Sequence, residues 1–257
     1  MDLREWLRDT FTMFEFDVSA VYRRGAAHEW PLVGLDAEDL EQKLAAGGHL
    51  LPLPKEPAAL ANIIEVRIVD FVLSRVDALE GAEASRGVER GYPDVEIGGE
   101  VFGGGYHAVD VKVARLNARG SATQSRVTLY TGNTYFRYPQ LRWPGTFRPF
   151  RDYATHLDIV AAYRFTPEER QRLTDLELMV HESWRIGSRQ RSSTTREYIG
   201  GVQSLRALRE GLGEFASEEE FYRFWRRYPF RIGAAVQRQL DRLLESQDER
   251  SGGVPDQ

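Results

Sequence analysis

The residues whose types and spacing best fit chemistry are two acids and a lysine, Asp94, Asp110 and Lys112. Residues 106–113 alternate apolar and polar side chains as a strand does, so Asp110 and Lys112 lie on one face of that strand. Asp94 begins an earlier candidate strand, and a glycine-marked hairpin between the two strands can bring it next to Asp110. Two converging carboxylates without cysteine or histidine predict a Mg²⁺ site, to which the backbone carbonyl of Val111 can add a ligand.

The chemistry that such a site suits is hydrolysis of a phosphodiester. Bound Mg²⁺ lowers the pKa of a water molecule and neutralises charge on the phosphate. The ammonium of Lys112 is a compact charge that can contact the phosphate and the attacking water together. Lysine occurs only at positions 43, 55 and 112 in a chain with 34 basic residues. This rarity favours a specific need for lysine, rather than arginine, at position 112. The alternative, a chance Asp-x-Lys triplet on a solvated strand face, stays open on these residues alone.

The composition excludes several other kinds of site. The 257 residues contain no cysteine, which excludes disulfides and thiolate chemistry, and the five histidines lack the spacing of a zinc site. The net charge of −5 argues against a protein that coats nucleic acid along its whole surface. No apolar run is long enough to span a membrane, and the first residues do not resemble a signal peptide, so we expect a cytoplasmic protein.

Periodicity predicts the elements in the first part of the chain that must position this site. We expect a short helix, a hairpin and a surface helix over residues 2–13, about 16–32, and 36–47. A long helix over residues 57–79 begins at Pro57, which suits a first helical turn. The apolar stripe of this helix consists of Leu60, Ile64, Ile68, Phe71, Val72 and Leu79. Glu65 lies beside the stripe.

Strands and helices are mixed in the rest of the chain. Strands are predicted over residues 95–97, 106–113, 156–165 and 176–186. A capping box from Ser217 to Glu220 opens one helix, and a last helix covers residues 233–246. This order lacks a repeating βαβ rhythm and predicts an α+β or mixed α/β fold. We expect a single domain over residues 1–250 and a disordered tail over 251–257.

An arginine-rich segment, residues 185–196, is a candidate for contacts with nucleic acid. We interpret it as a flexible loop that can enter a DNA major groove, where arginine pairs with guanine and glutamine with adenine. The candidate contact residues are Arg189, Gln190, Arg191, Ser193, Thr194, Thr195 and Arg196. A solvated basic loop without a ligand explains the composition equally well.

A second basic and aromatic stretch begins near Thr134 and Arg137. These two residues are candidate phosphate contacts, which would fix the register of a nucleic acid without reading its sequence. Core packing explains the aromatic residues of the stretch equally well, so only its arginines need a solvent or phosphate partner.

Four stretches of the sequence carry a resemblance to a known family. They are Tyr92-Pro93-Asp94, residues 108–112, residues 149–156 and residues 217–228. In order and approximate spacing they resemble segments of the EcoRV-type restriction endonucleases, and Phe16-Asp17-Val18 is similar too. Pro-Asp followed by Asp-x-Lys is also the signature of the wider PD-(D/E)XK nuclease superfamily.

The resemblance implies a fold and an activity that the residues alone do not. The fold would be α/β with a restriction-endonuclease-like core, in which helices flank a mixed central β-sheet. An N-terminal hairpin would belong to a dimerisation subdomain of about residues 14–56, and residues 57–250 would form the catalytic and DNA-recognition part. The activity would be Mg²⁺-dependent type II cleavage of both strands of palindromic double-stranded DNA, leaving blunt ends with 5′-phosphates. The enzyme would be a homodimer whose gene accompanies that of a cognate DNA methyltransferase.

The resemblance also assigns roles to further residues. It makes Glu65 a second-metal or proton-relay residue beside Asp94 and Asp110, whereas its helix position alone favours a solvated charge. It places the recognition loop in the arginine-rich segment, best aligned at residues 193–196. That segment is richer in arginine than the family's loop, and residues 88–91 lack the glutamines of the family's minor-groove loop, so the target sequence is not transferred. The rival interpretations are another nuclease of the superfamily, such as a repair or nicking enzyme, and a noncatalytic DNA-binding module.

Overall fold

A computed structural model describes residues 1–16, 36–39, 57–88, 91–169 and 171–251. Its eight strands are β1 (Glu83–Arg86), β2 (Val95–Gly98), β3 (His107–Arg115), β4 (Thr128–Thr131), β5 (Thr155–Phe165), β6 (Leu173–Glu182), β7 (Gly187–Arg191) and β8 (Tyr198–Gly201). Its longer helices are α1 (Leu3–Phe11), α2 (Pro57–Asp77), α3 (Leu205–Glu210), α4 (Glu218–Arg227) and α5 (Ala234–Ser251). Helices and strands therefore mix without a βαβ repeat, as the sequence predicts.

The central sheet contains five strands in the order β1-β2-β3-β5-β6. The pair β3 and β5 is parallel and the other neighbours are antiparallel, so the sheet is mixed. A separate three-stranded sheet has the order β4-β8-β7. The predicted α/β class with a mixed central sheet flanked by helices is confirmed.

Both faces of the central sheet are buried, because the strands carry apolar residues on alternate sides. Helices α1 and α2 cover one face through Leu7, Leu60, Ile64, Ile68, Val109, Val111 and Ile159. The small sheet and helices α3 and α4 cover the other face through Ala108, Leu129, Phe136, Val160, Leu208, Phe221 and Trp225. Asp110 and Lys112 point towards this second face, where the alternation of β3 requires them to lie.

Several predicted elements are confirmed with small shifts of their ends. Helix α1 lies within residues 2–13, helix α2 begins at Pro57, and β2 and β3 form the expected hairpin. The hydroxyl of Ser217 accepts a hydrogen bond from the backbone N–H of Glu220 at 3.2 Å, which caps helix α4. The predicted strand 176–186 runs instead from Leu173 to Glu182 and is followed by a 3₁₀ turn.

Other predictions fall wholly or partly outside the described residues. The N-terminal hairpin over about 16–32 lies there except for its first residue, and only residues 36–39 of the predicted surface helix are described. The dimerisation role of residues 14–56 therefore stays a prediction. At the other terminus, Ser251 ends helix α5 rather than beginning the tail, and residues 252–257 lie outside the described part.

The interpretation of residues 185–196 as one flexible loop is wrong for its first half. Residues 187–191 form strand β7, and a turn over residues 192–197 joins it to β8. The Gly-Ser-Arg-Gln-Arg sequence has no apolar alternation that would mark a strand. Tertiary contacts hold it instead, because Ser188 is buried and its carbonyl accepts a hydrogen bond from the indole Nε1 of Trp225 at 3.2 Å.

None of the helices in the described residues is both long enough and apolar enough to cross a membrane.

Candidate active site

Strands β2 and β3 bring the three candidate catalytic residues into direct contact. The backbone N–H of Asp94 donates to Oδ1 of Asp110 at 3.1 Å, and the backbone N–H of Val111 donates to Oδ2 of Asp94 at 2.7 Å. The ammonium of Lys112 pairs with Oδ2 of Asp110. These bonds cross the hairpin in both directions, so each carboxylate is fixed by the strand that carries the other.

The three residues line a cavity of about 520 Å³ between the central sheet and the β4–β8 side of the small sheet. Other side chains on its wall are Glu65, Thr131, Tyr135, Arg196 and Tyr198. Glu65 thus faces the same space as the aspartates, although helix α2 packs mainly against the opposite face of the sheet. The structure therefore places Glu65 on the wall of the same cavity, and its role stays a prediction.

Negative charge accumulates at this site beyond what Lys112 can balance. Burial and the Asp110 carboxylate raise the pKa of Asp94 to about 8, against the opposing effects of Lys112 and the Val111 N–H. Burial likewise raises the pKa of Glu65; Lys112 lowers it and Asp110 raises it. Burial lowers the pKa of Lys112, but the carboxylates Asp110, Asp158 and Asp94 outweigh it and raise that pKa. Such a cluster favours binding of a cation, which would relieve the repulsion between its carboxylates.

The donor set fits a hard divalent cation. Asp94 and Asp110, which carry carboxylate oxygens, and Val111, which carries a backbone carbonyl, all line the cavity. Within the ranges that the structure describes, no three Asp, Glu, His or Cys side chains form a preassembled metal cage. Two carboxylates with open positions are typical of Mg²⁺, which keeps several waters and takes ligands from substrate phosphates. Glu65 does not complete a three-carboxylate cage with the aspartates here.

The backbone around Asp94 is fixed by two neighbouring segments. On one side, the N–H of Gly87 donates to the carbonyl of Asp94 at 2.7 Å. A Cβ at position 87 would overlap the Pro93 carbonyl and lie 3.2 Å from Cα of Asp94. On the other side, the Tyr92 hydroxyl and Nδ1 of His156 are hydrogen bonded at 2.7 Å inside the core. These contacts explain how a short strand start can hold a carboxylate in a defined place.

The comparison with protein families shows which family this chain belongs to. The family model described as restriction endonuclease EcoRV matches residues 26–246, which is most of the chain. The chain belongs to the EcoRV restriction endonuclease family. Membership supports a nuclease that acts on DNA. A search of curated proteins found no match.

In this EcoRV-family chain, the candidate DNA-contact residues of the second sheet differ in their availability. The guanidinium of Arg189 pairs with Glu220 and lies over the rings of Phe215 and Phe224, at 4.7 and 5.1 Å from their centroids. Arg191 pairs with Glu197 at 3.1 Å and donates to the carbonyl of Thr194. Both guanidinium groups therefore have partners within the protein, although the Arg189 side chain is 43% exposed.

Arg196 is placed differently from the other two arginines. Its side chain is exposed, lines the cavity beside Lys112, and donates to the Tyr198 hydroxyl at 3.1 Å. The turn that carries it is ordered by Ser193, whose hydroxyl accepts from the N–H groups of Thr195 and Arg196 at 3.2 and 3.1 Å. A cation on a fixed turn at the cavity wall is well placed for an anionic ligand.

The remaining predicted contacts lie on the small sheet and on the segment after β4. The side-chain oxygen of Gln190 accepts from Arg126 at 2.7 Å, and Thr194 is exposed at the turn. Thr134 and Arg137 are half-buried, and the Arg137 guanidinium donates to the carbonyl of Phe230 at 3.4 Å. The structure does not bring Thr134 or Arg137 to the wall of the cavity. Their role in DNA binding stays a prediction.

One buried acid beside the site was missed in the sequence. Asp158 lies on β5 directly opposite Asp110 in the parallel register, and it is fully buried. Burial raises its pKa to about 7; Lys112 and the Ser183 hydroxyl lower it, and Asp110 raises it. The available signal was the break that an aspartate makes in the apolar run Leu157 to Ala162, where every other residue suits a core strand.

Proposed function

We propose that the protein is a homodimeric type II restriction endonuclease that uses Mg²⁺ to hydrolyse both strands of a specific palindromic site in duplex DNA. The observation that carries the proposal is the contact set of Asp94, Asp110 and Lys112 at one cavity wall, in a chain of the EcoRV restriction endonuclease family. The products would carry 5′-phosphates on blunt ends. The gene of a cognate DNA methyltransferase would protect the host site, and the enzyme would work in the cytoplasm.

Each residue of the site has a definable part in this reaction. Asp94 and Asp110, with the Val111 carbonyl, would hold the cation, and Glu65 would assist as a second-metal or proton-relay residue. When bound, Mg²⁺ supplies an acidified water and charge neutralisation at the phosphate. The Lys112 ammonium would orient the attacking water and stabilise charge on the scissile phosphate. Tyr135, whose ring centroid lies 4.8 Å from that of Tyr92, forms part of the cavity wall.

Palindromic cutting explains why a homodimer is proposed. A twofold axis in the protein places two identical sites on the two antiparallel strands of a duplex. A single cavity of this kind in one chain can reach only one scissile phosphate at a time. The proposed dimerisation subdomain over about residues 14–56 would supply that axis.

The test is digestion of unmethylated plasmid and phage DNA with the purified protein in Mg²⁺, with chelator as the control. Discrete bands whose sequenced ends share one palindrome, flush ends and 5′-phosphates are expected. Nicked circles or a smear would instead support a nicking or repair nuclease of the superfamily. Intact DNA under all conditions, with retained DNA binding, would favour a noncatalytic binding module.

The Gly87→Ala substitution tests whether the placement of Asp94 matters for cleavage. Because the new Cβ overlaps the Pro93 carbonyl, the segment carrying Asp94 must shift. We expect kcat to fall by about 10²-fold, the cost typical of misplacing a catalytic group by roughly 1 Å. Gly233→Ala is the matched control, since no atom lies within 4 Å of its added Cβ. Equal activity of the two variants would show that Asp94 tolerates displacement.

Substitution of Arg196 by alanine tests whether the β7–β8 turn reads DNA. Arg196 is exposed at the cavity wall, so we expect specific binding to weaken by about 10- to 100-fold, as for a lost base contact, with a smaller loss on nonspecific DNA. Arg206→Ala, an exposed arginine paired with Glu210 on α3, is the control. An equal loss of affinity for specific and nonspecific DNA in a filter-binding or fluorescence assay would show that Arg196 contacts only phosphates.

A further inference from the structure

Asp158 occupies an unusual position for an acid. In the parallel pairing of β3 with β5 it lies opposite Asp110, so the two side chains share one face of the sheet. Lys112 lies two residues further along the same face, at a diagonal position that a long side chain can reach. The exposed fraction of Asp158 is 0%, and no donor among the described residues makes a hydrogen bond of good geometry to either of its carboxylate oxygens. The Ser183 hydroxyl is close enough to lower the pKa of Asp158, but its hydrogen bond, at 3.5 Å, is to the carbonyl of His156.

Such a placement is costly unless it serves the site. A buried carboxylate without donors loses its hydration, and like charges opposite each other on neighbouring strands repel. The rest of this strand shows that apolar residues fit here, since Ile159, Val160 and Ala161 are all fully buried. The compensating positive charge on this face of the sheet is Lys112, at the diagonal position of the β3–β5 register, and the Asp158 carboxylate helps to raise the pKa of Lys112.

Lys112 and a divalent cation compete for the same carboxylate. In this structure the ammonium pairs with Oδ2 of Asp110, while Oδ1 of Asp110 accepts the Asp94 N–H. A cation bound to Asp110 would take charge away from that pair and repel the ammonium. Without another anion nearby, the buried Lys112 ammonium would then have no charged partner in the cation-bound site, where Lys112 has to contact the phosphate.

We propose that Asp158 is a positioning residue that holds the Lys112 ammonium at the site when the Asp110 carboxylate is bound to a divalent cation. The proposal rests on the function proposed above. Asp158 acts through Lys112 rather than as a metal ligand, because it is absent from the cavity wall and no three-carboxylate cage forms among the described residues. Lys112 moves between two anions on one sheet face, and its charge stays inside the site in both positions.

The test observes Lys112 directly and needs neither metal nor DNA. Lysine occurs at only three positions, so a protein labelled with ¹⁵N-lysine gives few ammonium signals, and Lys112→Arg identifies the one from Lys112. Asp110→Asn imitates the withdrawal of the Asp110 charge by a cation. We expect the Lys112 signal to remain protected from solvent exchange in wild type, in Asp110→Asn and in Asp158→Asn, and to be lost only in the double variant. Loss in Asp110→Asn alone, or retention in the double variant, overturns the proposal.

Two further measurements separate this role from a structural one. Because no well-formed hydrogen bond to Asp158 is found among the described residues, Asp158→Asn should keep or raise the melting temperature of the metal-free protein, by about 2–4 °C as the repulsion with Asp110 is relieved. A lower melting temperature would mark Asp158 as a structural partner and overturn the proposal. In cleavage assays Asp158→Asn should lower kcat about tenfold with an unchanged KM, and an unchanged kcat would contradict the role. Absence of cleavage by wild type would count against the proposed function, while the ammonium signals decide the role of Asp158 independently.

Discussion

Asp110→Asn is expected to abolish Mg²⁺-dependent DNA cleavage, with a fall in kcat of at least about 10³-fold, while the protein stays folded and binds DNA. The amide keeps an oxygen that can accept the Asp94 N–H, so the hairpin contact survives the substitution. What disappears is the negative charge that a cation and Lys112 both need. The melting temperature without metal should not fall, because repulsion with Asp94 and Asp158 is relieved.

The measurement combines single-turnover cleavage with calorimetric titration of Mg²⁺ and binding of the DNA in chelator. Asp152→Asn is the matched control, since Asp152 is an exposed acid paired with Arg151 at 3.5 Å. It should cleave like wild type. If Asp110→Asn retains Mg²⁺ binding and substantial cleavage, the site assignment made here is wrong.

Lys112→Arg is expected to reduce kcat by about 10²–10³-fold although the positive charge is conserved. The Lys112 side chain is only 15% exposed and pairs with Asp110, so the larger, planar guanidinium can keep the ion pair only with its charge displaced from the position of the ammonium. Folding and DNA binding should change little, because the ion pair with Asp110 can be replaced by a similar one. Turnover at the wild-type rate would remove Lys112 from the mechanism.

Lys112→Gln separates the effect of charge from that of shape. Removing the cation leaves the carboxylates unbalanced, and we expect the metal-free protein to lose roughly 2 kcal/mol of stability. This is less than is typical for a broken buried pair, because the raised pKa of Asp94, about 8, leaves that carboxyl group largely protonated and uncharged near neutral pH. Saturating Mg²⁺ should restore part of the loss in a thermal melt, whereas no difference between the two conditions would show that the cation does not bind at these carboxylates.

The local order of the site could be predicted because it depends on neighbours in one hairpin. Strand alternation places Asp110 beside Lys112, and glycines mark the turn that returns the chain from Asp94. The long helix α2 could be predicted equally well, since its apolar stripe repeats with the helical period over many residues. These signals are local in sequence, so a single chain reveals them.

The small sheet and the ion pairs of its arginines could not be predicted from such local signals. Strand β7 has a polar sequence, and only the packing of Trp225 and its pairing with β8 make it a strand. Whether an arginine of this sheet forms an ion pair within the protein depends on acids that are distant in sequence. Arg189 pairs with Glu220, whereas Arg196 lies at the cavity wall. Composition cannot distinguish these cases.

The sequence by itself determined the family resemblance, which implied the α/β class, and the position of Asp110 and Lys112 on one strand face, since both rest on order and periodicity along the chain. Only the tertiary structure decided that Asp158 lies opposite Asp110, because β3 and β5 are parallel neighbours with 39 residues of chain, 116–154, between them. Register between such strands is set by the packing of both sheet faces rather than by any local signal. The buried acid next to Lys112 became visible only through that register.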